Sequence, residues 1–159
     1  MGMSIDIKLV FGIDLGGIED DYEEFEKFEN TLREAVGEEN YDGVGDAVES
    51  LILKELGVVH PTEDYSEKTK ELYCAYWDAK HNALENVGVG IEHYGTSEYP
   101  AYILYSKKVS VGEIWDCTKL DPEDLEVSQE EIDRLRNFCE KYGISYTEPA
   151  WLVSGYYSN

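Results

Sequence analysis

Basic residues are what this chain has least of. Its 159 residues include 13 Lys and Arg against 35 Asp and Glu, a formal net charge of −22. A surface so short of cations argues against direct binding to nucleic acid or to an anionic membrane, since both need lysine and arginine to meet phosphate. Cysteine is scarce too. Cys74, Cys117 and Cys139 are an odd number with no CxxC spacing, which excludes a disulfide framework and predicts buried free thiols in a reducing compartment. No apolar run is long enough to span a bilayer. The opening MGMSIDIK lacks a charged segment followed by an apolar one, so a cytoplasmic protein is expected. GxSxG, P-loop and HExxH patterns are all missing, so no motif names a reaction and a non-enzymatic role is expected. His60, His81 and His93 fall in three separate elements with no Glu or Cys at ligand spacing, which argues against zinc.

What is present is the composition of a folded protein. Hydrophobic residues make up 42% and aromatics 13%, with thirteen tyrosines. That is enough apolar material for one domain over residues 1–159 with a real core, so the acidity does not signal disorder. Lys outnumbers Arg ten to three and Glu outnumbers Asp 23 to 12. Halophile surfaces avoid lysine and favour Asp, so the charge points instead to a basic partner or a bound cation.

Periodicity supplies the elements. Ile5, Ile7, Leu9, Phe11, Ile13 and Leu15 alternate with Asp6, Lys8, Gly12 and Asp14, which predicts a strand ended by Gly16 and Gly17. Asp20 or Asp21 is placed to cap a helix carrying Tyr22, Phe25, Phe28, Leu32 and Val36 on one face, stopped at Gly37. Val44, Ala47, Val48, Leu51, Ile52 and Leu56 predict a second helix. Thr62 or Ser66 is expected to cap a third, carrying Tyr65, Thr69, Leu72, Tyr73, Tyr76, Trp77, Ala83 and Leu84 on one side. Val87–Tyr94, Tyr99–Ser106 and Val109–Cys117 then read as three strands, with Lys107 and Lys108 as the second turn. Ser128 and Glu131 form a capping box ahead of a helix with Ile132, Leu135, Phe138, Cys139 and Tyr142, and Ala150–Tyr157 is a last strand. Strand runs broken by helix runs predict an α+β fold: a mostly antiparallel sheet of about five strands with helices packed on one face.

The segments IEHYGTSEYPAYIL and ISYTEPAWLVSGYY resemble the C-terminal half of small acidic proteins of tailed bacteriophages. In those, a Gly/Ser-rich turn leads into a P-x-Y strand, and a helix, a Gly-Ile turn and a Pro-x-Trp strand end the chain. The resemblance covers roughly Leu84 to Tyr157. Its motifs are structural, so it carries over no active-site residue. It implies a phage origin and a role inside the infected cell.

Three local patterns bear on function. VFGIDLGG at Val10–Gly17 resembles the first phosphate-binding turn of sugar kinases and actin-like ATPases, but Ile18 replaces the expected Thr or Ser and a helix follows where a second strand should. EENYDGVGDAVE places Glu38, Asn40, Asp42, Gly43, Asp46 and Glu49 at positions 1, 3, 5, 6, 9 and 12 of a calcium loop between two helices. A calcium- or metal-stabilised domain is thus the second reading, and the only one that calls for a cofactor. EDDYEEFEKFE is the strongest signal: Glu19, Asp20, Asp21, Glu23, Glu24, Glu26 and Glu29 against Lys27 alone. As a helix it rises ~16 Å, a length over which duplex DNA carries about ten phosphate charges. The expectation is a DNA-mimicking binding protein directed at a basic host nucleic-acid-binding protein of restriction, CRISPR or transcription. An enzyme of unrecognised type, built around His93 and the tyrosines, is the third reading.

Overall fold

The computed structural model describes residues 5–17, 22–113 and 117–157. The elements run β1 (Ile5–Gly17), α1 (Tyr22–Val36), α2 (Val44–Glu55), α3 (Lys70–Val87), β2 (Gly90–Thr96), β3 (Pro100–Glu113), α4 (Gln129–Tyr142) and β4 (Ala150–Tyr157). The fold is α+β, as the alternation of strand and helix runs predicts.

The described strands close into a small barrel in the order β1-β3-β2-β4. β1 is antiparallel to both β3 and β4, and β2 is antiparallel to β3. A short parallel contact of Gly95 and Thr96 with Tyr156 and Tyr157 completes the ring. This contact covers the ends of β2 and β4 alone, so closure shortens their open edges and does not remove them. β1 and β3 approach tightly at Gly12, where an added Cβ would lie 2.1 Å from the Leu104 carbonyl oxygen. Only glycine fits there.

One face of the sheet receives α1, α2 and α4, and α3 packs on α2. Phe11, Ile13 and Leu104 meet Phe25 and Leu32 of α1, Val48 and Ile52 of α2, and Leu135 and Phe138 of α4 in a single buried cluster. Burying each such side chain contributes about 1.5–3 kcal/mol. The other face curls inward around Val10, Ala101 and Ile103, which are also buried.

Among the described residues four strands are found where about five are expected. The two lysines read as a turn lie inside one long β3, where Lys107 pairs with Phe11 and Lys108 with Val10 of β1. Their charges are satisfied without leaving the strand. Lys107 Nζ donates to the Glu126 carbonyl at 2.5 Å, and Lys108 Nζ to Glu92 Oε2 at 3.1 Å. A register shift between Phe11 and Gly12 lets Ser106 slip out of the pairing, so Tyr105 and Lys108 come to the same face. Of the segment expected to continue from here, Trp115 lies outside the described residues.

The third helix also departs from expectation. It begins at Lys70, because Thr69 Oγ1 accepts from the Ser66 N–H at 2.7 Å and donates to the Asp64 carbonyl at 2.8 Å. These local bonds hold the preceding residues in turns. The helix runs on through Val87 and is closed by Gly88 at φ 67°, so Val87 ends a helix rather than opening a strand. Tyr65 and Thr69, expected on this helix, precede it, and Leu72 and Trp77 of the expected side are exposed. Tyr22 and Leu56 are exposed as well, each sitting at a helix end beyond the reach of the core. Of the thiols expected to be buried, only Cys139 is, and burial pushes it up to about 11. Cys74 and Cys117 face solvent.

Candidate functional site

The acidic stretch forms the first half of α1. Phe25 and Leu32 are buried and Phe28 is half-buried. Phe25 stacks on Tyr102 of β3 with ring centroids 6.3 Å apart and planes 11° apart, and tilts against Phe28 at 6.2 Å. These contacts fix the helix axis against the sheet. Glu23, Glu24 and Glu26 lie outside that stripe and are exposed. Glu23 and Glu24 sit in the first turn, where the helix dipole favours negative charge. Glu34, one turn beyond Asn30 on the same outer side, extends the acidic face and is exposed as well. Glu19, Asp20 and Asp21, expected in the same run, lie outside the described residues.

Glu29 behaves differently from its neighbours. It is half-buried and accepts a hydrogen bond from the Tyr41 hydroxyl at 2.8 Å. Burial, followed by this bond and the Glu29 charge, pushes the Tyr41 hydroxyl well above the usual phenol range. Arg33 stacks over the Tyr41 ring at 4.0 Å and reaches Glu38 at 3.0 Å. Glu29 therefore holds α1 to the connection that follows it.

Glu38, Asn40 and Glu49 of the calcium-loop pattern are drawn to separate partners. Glu38 sits in a short 3-10 turn and pairs with Arg33. The Asn40 amide donates to the Val36 carbonyl at 3.0 Å. Asp42 and Asp46 are exposed, and Glu49 pairs with Lys80 of α3. Among the described residues no group of three or more His, Cys, Asp and Glu side chains is placed to hold a metal ion. His93 is exposed on β2, opposite Tyr102 of β3.

A second charged cluster lies on the barrel strands. Glu92 of β2 is buried, with Lys8 Nζ at 2.6 Å from Oε1 and Lys108 Nζ at 3.1 Å from Oε2. Burial alone would raise the Glu92 carboxyl, but the hydrogen bond from Lys8 and the charge of Lys108 outweigh it and hold the group below the usual carboxylate range. The sequence signal is a Glu between Ile91 and His93 in the middle of a strand.

Acids elsewhere on the surface serve helix ends. Asp124 accepts from the Asp121 N–H, and Glu131 and Ser128 complete the capping box of α4. Many of the few cations are engaged too: Lys80 with Glu49, Arg134 with Glu130, and Lys141 with Glu55. Exposed carboxylates on α1 are thus set in a surface whose bases are largely occupied. No helix among the described residues is long and apolar enough to cross a membrane. No protein-family model matches the chain, and neither a curated protein nor a solved structure does.

Proposed function

We propose that this protein is a stoichiometric binder that presents the acidic face of α1 to a basic groove on a nucleic-acid-binding protein. The observation that carries the reading is the exposure of Glu23, Glu24 and Glu26 on a helix pinned by Phe25 and Leu32. A rigid row of carboxylates keeps its spacing when a partner arrives, so little ordering entropy is lost on binding. The net charge of −22 steers such a partner and repels nucleic acid itself. In its concrete form the reading is a phage-encoded inhibitor acting in the host cytoplasm on a restriction, CRISPR or transcription protein.

The test is affinity capture from bacterial lysate at low and high salt, using the wild type and a Glu23→Lys, Glu24→Lys, Glu26→Lys variant. The reading expects a basic protein held at low salt, released by high salt or by added duplex DNA, and lost with the variant. Capture that is identical for the two proteins contradicts it.

A further inference from the structure

The face of α3 that the core leaves uncovered borders a groove of about 560 Å³ against residues 57–63. Leu72, Ala75 and Ala79 line it from the helix, and Val59 and Pro61 from the opposite wall. Val59 is 78% exposed and Leu72 57%. Its walls are held in place. The His60 ring packs edge-on against Tyr76 at 4.9 Å and Tyr73 at 5.7 Å, and the Tyr73 hydroxyl donates to the Glu63 carbonyl at 2.8 Å. A second groove of about 300 Å³ shares Val58, Val59, His60 and Tyr76 and reaches Ala35 and Val36 at the end of α1. The two grooves together run from the C-terminal end of α1, where Asn40, Ser50 and Lys54 add polar groups to the lining, to α3.

We infer that this groove receives an amphipathic basic helix of the partner. The inference rests on the reading of the protein as a binder of basic proteins and adds an apolar anchor to it. Charge selects the occupant. Glu71, Asp78 and Glu85 recur every seven residues, so they share the edge of α3 beside Leu72 and Ala75, and all three are exposed. Glu63 lines the facing wall. Lys70 is an i,i+7 neighbour of Trp77 and lies round the helix from that edge. A helix with an apolar stripe and lysine or arginine on its flanks satisfies both features, as in other helix-in-groove contacts. A second copy of this chain would bring two charges of −22 together, which opposes self-association. An added strand has no edge to join in this groove, since its walls are a helix and a strand-free segment.

The test uses a fluorescent 18-residue Leu/Lys peptide with an amphipathic helical pattern and a scrambled peptide of identical composition, read by anisotropy. Wild type is expected to bind the patterned peptide about tenfold more tightly than the scramble, a 1.4 kcal/mol difference. Val59→Ser with Leu72→Ser, two exposed positions that leave the fold intact, should abolish that preference. The α1 charge reversal should weaken both peptides alike. Equal affinity of wild type for the two peptides overturns the groove while leaving the acidic reading standing if the reversal still weakens both. A reversal that weakens neither overturns the acidic reading on its own. Sedimentation showing a wild-type dimer that the double serine variant dissolves gives the groove to a second copy and also overturns the inference.

Discussion

Lys8 and Glu92 meet at 2.6 Å although their strands, β1 and β2, are not neighbours in the sheet. β3 lies between them on one side and β4 on the other, so the pair spans the inside of the barrel. Lys108 takes the second carboxylate oxygen. Tyr94 of β2 makes a parallel tie, its hydroxyl donating to Asp14 Oδ1 of β1 at 2.9 Å. In a chain with so few cations, two lysines are committed to one buried acid. The barrel has little width for an apolar filling, and the triad ties its opposite sides together.

Glu92→Gln should therefore destabilise the protein. Because both lysines still reach solvent, the loss should sit at or below the ~3 kcal/mol lower end for breaking a buried pair. The pH dependence has a definite sign. The folded carboxyl lies below its unfolded value, so the stabilisation is complete above the ordinary carboxylate range. It is lost as pH falls through that range toward the lowered folded value. The difference in urea midpoint between wild type and Glu92→Gln should shrink on acidification. A constant difference would show that Glu92 is not held ionised by its lysines.

The α1 acids and the α1 aromatics should separate cleanly. Phe25 is 5% exposed, and Phe25→Ala should cost about 3–5 kcal/mol. Charge reversal at Glu23, Glu24 and Glu26 should leave the cooperative unfolding transition intact. Thermal melts of both variants check this, and a reversal as damaging as Phe25→Ala would make the carboxylates part of the fold.

Thiol chemistry distinguishes the three cysteines. Cys74 and Cys117 should react with a maleimide in the native protein, while Cys139, buried and with its thiolate disfavoured, should react only after unfolding. Mass spectrometry of the alkylated chain reads the count directly. Three rapid additions under native conditions would place Cys139 outside the core.

Calcium offers a sharp comparison. With Glu38 turned to Arg33 and Glu49 to Lys80, millimolar calcium should raise the melting temperature no more than magnesium at equal ionic strength. A saturable calcium-specific rise that Glu49→Gln abolishes would establish the loop as a binding site.

Much of the fold was legible because one period and one stop signal agreed. Tyr22 to Val36 keeps helical spacing up to Gly37, and α1 has those bounds. Ser128 and Glu131 cap α4 as their spacing predicts. β3 was not legible, since Lys107 and Lys108 find their partners far away in sequence and the slip at Ser106 breaks the alternation. Periodicity also gave α3 an apolar side but could not say what would cover it. In the candidate site the exposure of Glu23, Glu24 and Glu26 followed from the stripe they avoid. The commitment of Glu29 to Tyr41 did not, because only the packed connection brings that hydroxyl within reach.

The central claim is that the acid on α1 recruits a basic partner by electrostatic attraction. Its most direct measurement is the association rate of the captured partner with immobilised protein, followed across a salt series for wild type and the Glu23→Lys, Glu24→Lys, Glu26→Lys variant. Steered association rises steeply as the Debye length lengthens beyond the ~10 Å of 0.1 M salt. The account predicts that the variant associates at least about tenfold more slowly at low salt, with a flatter salt dependence, a nearly unchanged dissociation rate, and competition by duplex DNA in the wild type. Equal association rates for the two proteins at every salt concentration would contradict it.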